Sequence, residues 1–272
     1  MSEWKAIAGR ITIFPAPSSE ALPSALDLYK KVWEVDPTNF QGSTTILSPS
    51  VAQGKRPSFG LNCSVHPSRI DFALSPSESE DRAEPPKFLV IENSKEFHDE
   101  LLRIARVIGK GLLTNPILRI ATFLQFVSIE ANTVEANRTL MSIVPSQYRI
   151  KLNDEQEFIC QVNRPRASDK MPDLKINLIT KWSVDRFQIV SLLFGMGGAA
   201  PIFAQSSAAP VVSEFIAATV SFDNNNVPVL PAKPLSSAQQ SSLLLEALAH
   251  TVMSMQEGGL KITGFENGQL AH

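Results

Sequence analysis

The side chains with the widest chemical range in this 272-residue chain are four histidines and two cysteines: His66, His98, His250, His272, Cys63 and Cys160. Cys63-Ser64-Val65-His66 has the spacing of half a zinc site. A structural zinc needs four ligands converging in a tetrahedron, and no second Cys/His pair follows. The segment also alternates like a β-strand, in which residues three apart point to opposite faces. No metal site is expected here, and His66 reads as a hairpin-turn residue. His98 lies between Glu96 and Glu100 on a helical stretch. Residues two apart do not share a helix face, so His98 reads as solvent-exposed. His250 follows Glu246 by one helical turn, and a Glu–His pair of this kind can tune a general base.

Two further motifs are incomplete. Serine is abundant, yet no Gly-x-Ser-x-Gly elbow presents a nucleophile to His250. Gly195-Met196-Gly197-Gly198 follows a strand-like run, as phosphate-binding glycine loops do. Ala199-Ala200-Pro201 then stands where such a loop needs Lys-Ser/Thr and a helix start. No catalytic residue, metal or cofactor is therefore expected. The segment Gly195–Pro210 has 16 residues and no charge, in a chain that is 19% charged. An apolar loop of that length suits docking, with Met196, Ile202 and Phe203 as anchors, for a protein partner or for self-association.

Composition bounds these readings. Hydrophobic residues make up 43% of the chain and formal net charge is −2, which suits a globular protein with a sizeable core. No basic run stands out, so a nucleic-acid partner is not expected. No stretch reaches the roughly 18–20 apolar residues that span a bilayer. Met1-Ser2-Glu3-Trp4-Lys5 lacks a basic region followed by an apolar run, so no signal peptide is expected. The two cysteines sit in alternating apolar patterns, which reads as reduced thiols and a cytoplasmic setting.

The elements that would position these residues follow from periodicity. Ala6 to Phe14 alternates as a strand. A helix capped by Ser18 or Ser19 carries Leu22, Ala25, Leu26, Tyr29, Val32 and Trp33. Phe59–Val65 and Ile70–Leu74 form a hairpin. Asn93 or Ser94 caps a helix with a stripe of Phe97, Leu101, Ile104, Ala105, Ile108 and Leu112, leaving Glu100, Arg103 and Lys110 solvated. Ile117–Ile129 is a long strand, apolar on both sides and so central. Asn132 to Glu135 forms a capping box for a short helix. Tyr148–Leu152 and Phe158–Val162 read as a second hairpin around Asn153-Asp154-Glu155. Leu174 to Val184 alternates, and the parity change at Phe187 and Ile189 implies a turn or bulge near Ser183–Arg186. Phe215–Phe222 is a strand, and the last helix runs from Ser236 or Ser237 to Gly258-Gly259.

The expected fold is α+β, with antiparallel sheets and amphipathic helices on one face. Each half, 1–114 and 117–258, runs strand, helix, several strands, helix, and 259–272 is a tail. Two readings are open: a duplicated unit, or one irregular α+β domain. The order of elements resembles a sporadically distributed family of bacterial proteins of unknown function, often encoded near mobile or defence genes. Ser68-Arg69-Ile70-Asp71-Phe72, the strand Leu118–Ile129, the alternation Leu174–Trp182 and the helix Leu243–Met255 with His250 carry it. The resemblance implies no established activity. The leading expectation is a non-enzymatic binding or scaffold subunit of a larger bacterial assembly, with a defence-related setting implied by the resemblance. The alternative is a small-molecule binder or enzyme with a pocket between a long helix and a curved sheet.

Overall fold

The computed structural model describes residues 3–17, 21–42, 49–77, 87–152, 156–191, 211–228, 233–260, 262 and 265. It is an α+β fold in which four helices lie against one face of a ten-stranded antiparallel sheet. The first run of elements is β1 (Lys5–Pro15), α1 (Ala25–Trp33), β2 (Asn39–Gln41), β3 (Ser50–Lys55), β4 (Phe59–His66), β5 (Arg69–Pro76) and α2 (Ser94–Ile108). The second is β6 (Ile117–Glu130), α3 (Thr133–Ile143), β7 (Ile159–Asn163), β8 (Arg166–Ala167), β9 (Lys175–Ser191), β10 (Val211–Val227) and α4 (Ser237–Glu257). The sheet order is β2-β3-β4-β5-β1-β6-β10-β9-β7, with β8 beside β9. The two runs thus join through β1 and β6 at the middle of one continuous sheet, while α2 and α4 meet above it.

Strand alternation decides which side chains reach the helices. Ile11, Ile13, Phe72, Leu74, Leu61 and Cys63 share the helix side with Ile120, Leu124, Phe126, Val220 and Phe222, and all are buried. Gly9 lies in this layer because Phe97 of α2 fills the space above it. A Cβ at Gly9 would come within 2.5 Å of that ring. Gly9→Val should therefore cost about 1–3 kcal/mol by overpacking, read as a lower midpoint in urea unfolding.

The helices start where local chemistry caps them. Ser24 caps α1 by accepting from the Asp27 N–H, rather than Ser18 or Ser19. Pro23 disfavours helix at the preceding Leu22, so the helix begins only after it. Asn93 and Asn132 cap α2 and α3 in the same way. Ser236 and Gln239 form a capping box on α4, and Gly259, at φ 70°, follows its last turn. The chain then returns to the core through Leu260, Ile262 and Phe265.

Several expectations are corrected. His98 and Glu100 are buried, at 2% and 7% exposure, rather than solvated. Helix α2 is flanked on both sides, so its polar arc is covered too. The His98 ring stacks at 4.5 Å on Phe265, and Glu100 accepts the Trp33 indole N–H at 2.7 Å. Tyr148–Leu152 does not pair with β7, whose partner is β9. Asn137 of α3 binds the Gln156 carbonyl and the Phe158 N–H, which directs this segment to the other strand. The parity change in β9 is not a bulge, since its register with β10 is unbroken from Lys175 to Ser191. Up to Val184 the apolar residues face the helices. Beyond it Phe187 faces the opposite side, where Phe88 packs on it with ring centroids 5.0 Å apart.

Candidate functional site

The sheet side away from the helices is built from the alternate residues of the same strands. One row across it reads Asn62, Ala73, Arg10, Phe123, Asp223, Ile179. The next reads Ser64, Asp71, Thr12, Ala121, Asn225, Asn177. At its centre, Arg10 stacks over the Phe123 ring at 5.5 Å and Arg119 over the Phe14 ring at 5.0 Å. Each is a directly opposed pair on β1 and β6. The arrangement has two-fold character about Thr12 and Ala121. It arises because both strands carry Arg-Ile-x-x-Phe, Arg10 to Phe14 and Arg119 to Phe123. Cation–π contacts of this kind hold a guanidinium flat on a ring while its edge stays available to acceptors. The Nε of each arginine is buried without a hydrogen-bond partner.

Beside this pair, Asp71 is 5% exposed and lies on the side away from the helices. It accepts from the Thr12 hydroxyl at 2.7 Å and pairs with Arg69 Nε at 3.0 Å. Arg10 Nε and His66 Nε2 each stand 3.9 Å from it. One carboxylate is thus surrounded by two guanidiniums and an imidazole, which leaves this part of the face with a cationic excess. Toward the other end, Phe88, Val90, Val127 and Ile129 line a groove of about 340 Å³, with Glu3, Lys5 and Glu130 at its edges. The hydrogen bond that Lys5 donates to Glu3 raises the Lys5 pKa, and the one it donates to Glu92 and both carboxylate charges act in the same direction against desolvation. Phe88 closes the groove against Phe187 and Phe215.

The residues singled out in the sequence are dispersed. Met196, Ile202 and Phe203 lie outside the described residues, between the ends of β9 and β10, as do Gly195 to Gly198 and His272. Cys63 is buried on the helix side while His66 is on the opposite side, so the two do not converge. Burial, reinforced by the charge of Asp71, pushes the Cys63 thiol far above its ordinary pKa; burial raises that of Cys160. Neither is a ready thiolate. His250 and Glu246 do share a face of α4, both buried, and the loop between β8 and β9 brings Asp169 to them. A smaller cavity of about 180 Å³ lies where the C-terminal ends of α3 and α4 meet β9 and β10, lined by Ile143, Trp182, Phe222 and Met255.

The chain matches no family model, no curated protein and no solved structure. The arginine–phenylalanine pair was not among the residues expected to bind. Its signal was available as the recurrence of Arg-Ile-x-x-Phe in two strands. Asp169 had no such signal, because folding alone brings it to α4.

Proposed function

We propose that this protein is a non-enzymatic, cytoplasmic binding subunit whose sheet face away from the helices docks a protein segment with acidic and apolar side chains. The observation that carries the reading is the opposed pair of Arg–Phe stacks at the centre of that face. Two half-buried guanidiniums, held on rings with an edge toward solvent, call for acceptors. The groove from Phe88 to Ile129, on the same side, suits the apolar part of the same segment. Ile129 itself is well exposed. The loop anchors Met196, Ile202 and Phe203 belong to the same proposal, since the strands before and after them in the sequence carry Phe187 and Phe215, which pack on Phe88. The cytoplasmic setting rests on two free cysteines. No helix among the described residues is long and apolar enough to cross a membrane. The likeness in element order to a bacterial family near mobile or defence genes is what suggests a defence-related assembly. The repeated order of elements and the recurring Arg-Ile-x-x-Phe support reading the two halves as a duplicated unit.

The alternative, a ligand pocket between α4 and the sheet, has the cavity beside Trp182 and Met255 in its favour. At about 180 Å³ it is smaller than the ~300–1,000 Å³ of ordinary ligand sites. The test combines Arg119→Glu with Ile129→Glu, striking the cationic centre and the groove together. Met253→Glu on the exposed side of α4 is the control. The native protein should retain a stoichiometric protein companion. The double variant should bind that companion at least about tenfold more weakly at an unchanged melting temperature, and the control should bind it normally. Equal retention by the double variant sinks the proposal. A companion removed by nuclease, or only a second copy of the chain, would replace it.

A further inference from the structure

We infer that Asp169, Glu246 and His250 form a binding site for a divalent transition-metal ion, which would clamp the β8–β9 loop to α4. Glu246 and His250 lie four apart on α4 and so share a face. The His250 side chain is 6% exposed, and its Nε2 has no hydrogen-bond partner. That nitrogen stands 3.6 Å from Glu246 Oε1 and 3.8 Å from Asp169 Oδ2. Both gaps are too long for a charge-assisted hydrogen bond, which spans about 2.7–2.9 Å. They are close to the edge of a tetrahedron whose ligands sit about 2.0–2.2 Å from a central ion. One ligand atom from each of the three residues falls within 4.8 Å of the others.

The surroundings orient these ligands as an outer shell does. Glu246 Oε2 accepts from the Ser168 hydroxyl and Oε1 from the Asp169 N–H, each at 2.6 Å. Arg166 pairs with Asp169 Oδ1, leaving Oδ2 toward the imidazole. One imidazole and two carboxylates, with no thiolate, suit Zn²⁺, Mn²⁺ or Fe²⁺ and not Cu⁺. Asp169 is exposed, so a fourth, solvent-supplied ligand has access. The site is separate from the sheet face away from the helices, and the two readings stand or fall independently.

The test is calorimetric titration of the full-length protein, freed of any affinity tag and treated with chelator, with zinc chloride. Asp169→Asn is the main variant, because Asp169 is exposed and its loss leaves the core intact; His250→Gln is the second. The site predicts about one ion per chain and a higher melting temperature with zinc. Asp169→Asn should weaken binding at least about tenfold and His250→Gln should lose the melting shift. No heat and no melting shift at tenfold excess zinc would overturn the inference, leaving His250 as a buried side chain packed beside Glu246. So would zinc binding unaffected by Asp169→Asn, or calcium binding more tightly than zinc.

Discussion

Phe126→Ala should lower stability by about 3–5 kcal/mol, the largest single effect expected in this molecule. Phe126 has no exposed surface and sits where the two halves meet. Its ring contacts Phe222 of the neighbouring strand at 6.3 Å and Phe265 of the returning C-terminal segment at 5.4 Å, nearly edge-on in the second case. Truncation removes a buried ring and leaves a cavity that β6, paired on both sides, has little freedom to close. The check is a urea unfolding midpoint. Phe265→Ala alone should cost less, since Phe265 lies in no paired strand and its surroundings have more freedom to close. The double variant should cost less than the sum of the two, because both rings fill one space.

Glu100→Ala should cost about 3 kcal/mol, toward the lower end for breaking a buried charge pair. Glu100 binds the Trp33 indole at 2.7 Å, while Arg103 Nη2 meets it at 2.6 Å and Arg103 Nη1 reaches the Val32 carbonyl. One carboxylate thus ties the end of α1 to α2. Alanine strands the indole N–H and the guanidinium together. Arg103 is about one-third exposed and regains some water, which is why the upper end of the range is not expected. Glu100→Gln keeps an acceptor for Trp33 and should cost clearly less. Equal losses for the two variants, measured by unfolding midpoint, would show that the indole contact contributes little.

Much of the fold was legible as periodicity. The alternation of Phe59 to Leu74 is the β4–β5 hairpin, with His66 opposite Arg69 across the turn. The stripe from Phe97 to Ile108 is the buried face of α2, and Ser236 with Gln239 marks the start of α4. Alternation identifies a strand but not its neighbour. That β1 lies against β6 depends on contacts between distant segments. Burial of His98 and Glu100 was hidden for the same reason, since a helical wheel shows one apolar stripe and cannot show flanking helices. The parity change in β9 reported a real event, a core moving from one side of the sheet to the other, for which period-two reasoning offers only a bulge. In the candidate site, the basic and aromatic residues of each pair are more than a hundred positions apart and invisible as a patch. The Glu246–His250 pair was readable from its spacing, and Asp169 was not.

The central claim is that the sheet face away from the helices is where a partner sits. Hydroxyl-radical footprinting of the native complex, compared with the free protein, tests it most directly. Phe14, Phe123, Phe88 and Ile129 are half-buried or exposed on that side and should label in the free chain, as should Met253 on α4. The account predicts that the first four lose labelling several-fold in the complex while Met253 does not. Protection of Met253 with unchanged labelling at Phe14, Phe123 and Phe88 would contradict it.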